Sequence, residues 1–360
     1  MPNKTRRHFL AASAVGALVA QPLIGAVGRS TGPVRVGQIG TKHAHASGKM
    51  ATLRKFPELF EVVGVVEADT DQRKRVQDSP AYRNLNWMTE AELLEADGLE
   101  AIAVETHIDE LLATAERCIA AGKHIHLDKP AGTSLSQFRR ICQSADEQHL
   151  MIQMGYMFRS NPAFQFTFNA VRQGWLGDIF QVHCEMSKKV NDATRKRLAR
   201  YRGGSMFELG CHLIDAVVTV LGRPERVSAF NRNSRPDFDE LRDTCLAVFE
   251  YPNATASVRS SLCEVAGGRR RQFVVCGTKG TIVIRPLEPF ELTMTLESDV
   301  GEYKQGTHSV SLPASQGRYD GDLRHFAAVI RGQQSALYPT SHDLAVQESV
   351  LRASDMPLDE

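Results

Sequence analysis

The chain has 360 residues, 42% hydrophobic and 24% charged, a composition that fits two soluble domains of ordinary size and excludes a low-complexity polymer. Lys and Arg number 43 against 42 Asp and Glu, so nothing in the charge favours nucleic acid or an anionic lipid surface as partner.

The first elements in chain order are not part of a fold. Lys4-Thr5-Arg6-Arg7-His8-Phe9-Leu10 is basic, and the apolar run from Leu10 to Val27 is rich in small residues and broken by Gln21 and Pro22. It is too short and too weakly apolar to be kept as a membrane span and reads as an export peptide, the alternative being a chance basic start. Thr5 to Leu10 resembles the twin-arginine signal, which implies the twin-arginine machinery as partner and a periplasmic or otherwise exported destination. Residues 1–29 are expected to be lost, with cleavage near Ala26 to Gly28. That loss leaves 39 basic residues against 42 acidic. Twin-arginine export carries folded protein, so a cofactor can be loaded before the membrane is crossed.

A dinucleotide-binding order follows, in a domain expected over 33–155. Val34 to Gly40 is an apolar strand ending in glycine, the chain from His43 to Lys55 suits a helix, and Glu61 to Glu67 is a second strand with an acid at its end. Strand, tight turn, helix, strand and acid is the sequence of a nucleotide-binding βαβ unit. The glycine signature is eroded: Gly40-Thr41-Lys42-His43-Ala44-His45 keeps only the first glycine. Lys42 can bind phosphate, or Lys42 and His43 form a solvated loop. Glu67 is placed to accept hydrogen bonds from ribose hydroxyls and to repel a 2'-phosphate, favouring NAD over NADP. Arg73 and Lys74 keep NADP open. Short helices at Asp69–Gln77 and Thr89–Glu95 lead to a buried strand, Gly98 to Glu105, whose exit carries Thr106 and His107. A helix from Asp109 to Ala121, a strand from Lys123 to Asp128, the exit Asp128-Lys129-Pro130, a helix from Ser134 to Gln148 and a strand from His149 to Gly155 complete the unit. Lys129 is a cation at a parallel strand's carboxyl end, facing the crevice where open α/β sheets bind ligands.

The second half is expected over 156–335, with a closing helix and tail over 336–360. Asn161 caps a helix with Pro162 at its first position. A strand at Gly177–Met186 leads into the basic insert Lys188 to Arg202, either a solvated face or a substrate loop. Then Gly203-Gly204 turns the chain into a helix to Leu221 that places Glu208, His212 and Asp215 on one face. A histidine one turn from a carboxylate is a tuned proton acceptor; the alternative is a bond network tying helix to sheet. From Glu225 to Tyr303 the sequence alternates as a predominantly antiparallel meander, free to pair through one face as a homodimer or homotetramer. Helices at Asp320–Arg331 and Ser341–Ala353 close the chain, and His308, Arg318 and Tyr319 lie in a loop near the cleft. The fold class is therefore α/β: a Rossmann-type dinucleotide-binding domain plus an α+β domain with a large, mostly antiparallel open sheet. Seven cysteines without CxxC spacing read as buried small hydrophobes, with one or two disulfides as the alternative, and no metal-ligand set emerges.

The run Asp128-Lys129-Pro130, the segment Gly203 to Asp215, the crossover GYMFRSNPAF from Gly155 and the turn GTKGT from Gly277 together resemble the Gfo/Idh/MocA family. The resemblance covers nearly all the chain after the leader. It implies NAD as cofactor, with NADP as alternative, and a small carbohydrate or cyclitol as substrate, and export of a folded protein fits a retained cofactor. It implies Lys129 on the reacting hydroxyl and His212 as base, with Glu208 beside it. Gly40, Thr41, Lys42, His43, Glu67, Thr106, His107, Asp128, Lys129 and Arg159 are the cofactor-binding candidates. Asp128 stands where the family usually has glutamate, Glu208 where it has aspartate, and His107 and Leu111 where a proline and a histidine are frequent. Three functions remain open: a sugar or polyol oxidoreductase, redox-assisted glycoside cleavage with an internally recycled cofactor, and a noncatalytic carbohydrate-binding relative.

Overall fold

Short apolar strands flanked by amphipathic helices build the first half. The computed structural model describes residues 32–314 and 317–359, and the expected export peptide lies outside them. Strands β1 (Val34–Ile39), β2 (Phe60–Val66), β3 (Trp87–Met88), β4 (Ala101–Val104), β5 (His124–Leu127) and β6 (Ile152–Met154) form one parallel sheet in the order β3-β2-β1-β4-β5-β6. That is the doubly wound dinucleotide-binding order, with its switch point between β1 and β4. Helices α1 (Ala46–Lys55), α2 (Thr70–Val76), α3 (Glu90–Leu94), α4 (Ile108–Ala120) and α5 (Leu135–Glu147) connect the strands. Local chemistry sets their starts: Asp69 caps α2, Thr89 closes a capping box with Glu92 on α3, and Ser134 accepts from the Gln137 amide on α5. Helix α1 begins three residues later than the sequence pattern suggests, because the segment before it is held by its own histidines.

The second half is laid over an eight-stranded sheet. After a 3₁₀ turn at Met157–Ser160 come α6 (Pro162–Arg172), β7 (Ile179–Ser187), α7 (Asp192–Leu198) and α8 (Cys211–Leu221). The strands β8 (Arg226–Arg232), β9 (Thr244–Glu250), β10 (Thr255–Ser261), β11 (Gln272–Gly277), β12 (Gly280–Leu287), β13 (Phe290–Leu296) and β14 (Gly306–Ser309) follow. The sheet order is β14-β13-β12-β11-β7-β10-β9-β8, antiparallel except where β10 runs parallel to β7. His308, expected in a loop, sits on β14. One sheet face is covered by α6 and α8; exposed Phe180, Phe230 and Leu246 lie on β7, β8 and β9.

Two closing helices, α9 (Asp320–Ile330) and α10 (Thr340–Ala353), do different jobs. Although α9 follows the second sheet in sequence, its Leu323, Phe326 and Ala327 pack with Val34, Val36, Ala101 and Ala103 of the first. Arg331 pairs with Glu100 at 2.7 Å, and His126 on β5 bonds Asp322 at 2.6 Å. α10 packs against α8 and α5. All seven cysteines are free, and five are buried as small hydrophobes.

Candidate active site between the two sheets

The loop after β1 is pulled inward. Gly40 has φ +88°, and a Cβ there would lie 2.6 Å from the Thr106 amide nitrogen, so only glycine lets β1 and β4 part this closely. The Thr41 amide and hydroxyl both donate to Glu67, at 2.9 and 2.7 Å, and Gln72 donates to Thr41. Lys42 pairs with Asp69 at 3.2 Å. These contacts span the crevice between the ends of β1 and β2, where a dinucleotide's adenosine half lies in this sheet order. Gly40, Thr41 and Glu67 fit such a ligand. Lys42 and His45, at the second and third glycine positions, depart from the usual cradle.

His43 and His45 turn toward the end of β5. His43 Nδ1 is 2.6 Å and His45 Nδ1 3.2 Å from the Asp128 carboxylate. Lys49, fully buried on α1, lies 2.9 Å from Glu105 and 3.3 Å from Asp128. Gly155 makes room for it: a Cβ there would sit 2.6 Å from the Lys49 ammonium. Burial and the Asp128 charge push the Glu105 carboxyl well up, whereas His43, Lys49 and His45 overcome burial and hold Asp128 well down. Lys49 and Asp128 are thus the ionised pair. Asp128, expected at the cofactor, spends both oxygens inside this cluster, one of them on the Lys129 amide at 2.7 Å. The cluster brings together three metal-ligating side chains, His43, His45 and Asp128, whose donor atoms lie within 4.8 Å of one another. Sequence spacing could not show this set, because loop and strand end meet only through the parallel β1, β4 and β5.

Beyond Asp128, Lys129 crosses to the second half. Its ammonium, 1% exposed, donates to the Glu208 main-chain carbonyl at 2.7 Å. Burial works against the lysine charge, but Cys211, Glu208 and Asp128 outweigh it and hold its pKa above the ordinary value. Glu208 lies in a π-helical turn, Met206–Gly210, that precedes α8. The wider turn changes the offset to His212, and no Glu208–His212 hydrogen bond forms among the described residues. The expected carboxylate–histidine pair is therefore replaced by a Lys129–Glu208 contact. Burial raises Glu208, yet Lys129 and Lys188 more than reverse this. His212, 2% exposed, is ringed by Tyr156, Phe158 and His45, and its Nδ1 has no partner among the described residues. Burial first, then the Lys129 and His45 charges, hold its pKa well below 6.5, so the ring is neutral.

Other candidates lie elsewhere. Arg159, expected at the cofactor, is buried on Asp215 and Asp343, each at 2.6 Å, and its guanidinium stacks on Tyr338. The 3₁₀ turn before α6 directs it toward α8 and α10, which removes both Arg159 and Asp215 from the cleft. Arg159→Met is expected to lower unfolding free energy by about 3 kcal/mol, because two buried carboxylates lose their cation. Urea denaturation reads the loss; unchanged stability with weaker nucleotide binding would return Arg159 to the cofactor. Thr106 is buried at the β4 end, and His107 opens α4 with its Nε2 3.4 Å from Arg200 of the basic insert. That insert is neither wholly solvated nor wholly a substrate loop: α7 anchors it through Arg195 on Asp239 and Asp243, while half-buried Lys188 approaches Glu208. Tyr319, before α9, lays its ring 5.9 Å from that of His45. The sequence marks His45 only as the residue replacing the third glycine, and its patterns do not single out Lys49 or Glu105.

A six-stranded Rossmann-like sheet joined to this second sheet has clear relatives. A model described as the oxidoreductase family, NAD-binding Rossmann fold, matches residues 34–156, and one for the GFO/IDH/MocA C-terminal domain matches residues 164–283. The chain belongs to the GFO/IDH/MocA family. Its Rossmann-like domain is consistent with NAD(P) binding, and family membership carries NAD(P)-dependent oxidoreductase activity on a sugar- or polyol-like substrate. This GFO/IDH/MocA chain is 27% identical to trans-1,2-dihydrobenzene-1,2-diol dehydrogenase of Sus scrofa over 235 residues, 63% of this chain and 67% of that one. UDP-N-acetylglucosamine 3-dehydrogenase GnnA from Acidithiobacillus ferrooxidans shares the fold at TM-score 0.73 and 18% identity, covering 91% of this chain and 98% of that one. An oxidoreductase from Agrobacterium radiobacter in complex with NAD+, L-tartaric acid and magnesium does so at TM-score 0.75 and 17% identity, over 89% and 95%.

Proposed function

We propose that this protein oxidises a hydroxyl of a carbohydrate, cyclitol or related vicinal diol, with Lys129 binding the reacting oxygen and His212 removing its proton. The observation that carries the reading is the buried pair itself: Lys129 at the exit of β5, held above the ordinary lysine pKa, and His212 on α8, held well below 6.5. Bound NAD supplies the hydride acceptor. Glu67 is suited to the ribose hydroxyls and Gly40, Thr41 and Lys42 to the pyrophosphate. Lys129 stabilises the oxyanion that develops as the proton leaves. His212 is deprotonated at neutral pH and so ready to accept it. The pig relative acts on a cyclic vicinal diol, by its name, which supports a substrate with adjacent hydroxyls. The export signature at Thr5 to Leu10 supports a periplasmic or otherwise exported destination, and the exposed Phe180, Phe230 and Leu246 support self-association through the open sheet.

A second reading is redox-neutral glycoside cleavage, in which the sugar hydroxyl is oxidised transiently and the hydride returned after the linkage breaks. The twin-arginine-like segment Thr5 to Leu10 favours it, since an exported protein has little free NAD to draw on and suits a retained cofactor. The purified chain is expected to release nicotinamide dinucleotide on denaturation, detected by mass spectrometry. Incubated with glycosides and no added cofactor, it yields free monosaccharide without net NADH under the cleavage reading, and NADH in proportion to oxidised sugar under the first. Absence of nucleotide, of NAD binding and of either product would leave only a carbohydrate-binding relative.

A further inference from the structure

We propose that His43, His45 and Asp128 bind one divalent transition-metal ion, of the zinc class, at the inner end of the candidate active site. Two imidazoles and one carboxylate are a ligand set for such ions, and three protein ligands leave a fourth position for water or a substrate oxygen. Ligand atoms about 2.1 Å from a tetrahedral ion stand about 3.4 Å apart. The His45 Nδ1 to Asp128 separation of 3.2 Å is already close to this. The His43 contact, at 2.6 Å, is shorter, so that ring has to draw back by less than about 1 Å.

The carboxylate is held as a ligand's carboxylate should be. Asp128 accepts from the Lys129 amide on one oxygen and faces Lys49 with the other, and Lys49 is shared with Glu105 and with His126 Nδ1 at 3.3 Å. His126 is in turn fixed by Asp322. Such outer partners orient ligands and set their affinity. A second observation lies next to the cluster. The buried His212 ring lies 6.3 Å from the His45 ring, and its Nδ1 lacks any partner among the described residues. A buried polar nitrogen without a partner calls for a ligand atom or bound water beside it.

The inference stands apart from the oxidoreductase reading, because it is measured without nucleotide or substrate. The full chain, freed of any affinity tag, is stripped with a chelator, loaded separately with zinc or cobalt, cleared of excess by gel filtration and assayed for metal by mass spectrometry. About one ion per chain is expected, together with visible cobalt absorption of a four- or five-coordinate nitrogen and oxygen site. His43→Gln and His45→Gln, with melting temperature recorded alongside, should each weaken binding at least tenfold and lose the cobalt band. Less than one-tenth of an ion per wild-type chain overturns the inference without any variant. So does full occupancy in the folded double variant, which would place the ion on surface histidines. Repeating the loading with NAD present shows whether nucleotide and ion share the cleft: retained metal places them side by side, and expelled metal overturns a role for the ion in the nucleotide-bound protein.

Discussion

Replacing Lys129 by alanine is expected to lower kcat by about 10²–10³-fold, the usual cost of removing one preorganised donor to a developing oxyanion. Its ammonium is almost wholly shielded from water and anchored on the Glu208 carbonyl, so its charge acts in a low-dielectric cleft where it is worth most. Steady-state oxidation of the best diol substrate, set against direct NAD titration, is the measurement. A fall confined to KM would make Lys129 a binding residue, and unchanged turnover would remove it from the mechanism. Lys129→Arg should not restore the rate, because the longer, planar guanidinium cannot occupy the same point beside Glu208.

His212→Ala should cost about 10²–10⁴-fold in kcat, the span for a positioned general base. The sign of its pH dependence follows from burial and the Lys129 charge. Both disfavour imidazolium, so the working neutral form persists below 6.5, and kcat/KM falls only as pH drops through the lowered pKa. Taking away the neighbouring cation in Lys129→Met should move the acid limb of the residual activity upward, toward 6.5. A limb that stays in place, or one at 6.5 in the wild type, would mean that a different group titrates.

The Rossmann-type sheet was legible in the sequence, whereas the joint roles proposed for Lys129 and His212 came from the family resemblance. Apolar runs closed by Gly40, Glu67 and Asp128 marked strand ends, and in a doubly wound sheet the chain order of those ends fixes which side chains meet the crevice. What could not be read were the partners. The spacing from Glu208 to His212 indicates one turn of α-helix, but the chain takes a wider π turn there, and Lys129 meets Glu208 at its main-chain carbonyl. Arg159 looked free in a crossover because Asp215 and Asp343, which hold it, come from helices 56 and 184 residues away. Lys49 occupied an apolar position in a helical pattern, which a reading by hydrophobicity passes over; only the meeting of β4, β5 and α1 supplies Glu105 and Asp128 to receive it.

The return of α9 to the first sheet has a consequence in time. Val34, Val36, Ala101 and Ala103 are covered by a helix that ends at Ile330, so the first half, though written first, cannot be finished first. At ribosomal rates of about 5–20 residues per second, its apolar face stays open for on the order of ten seconds after β6 has emerged. During that interval the nascent polypeptide exposes an apolar face of the kind that aggregates, and a chain truncated before Asp320 is expected to keep that face uncovered.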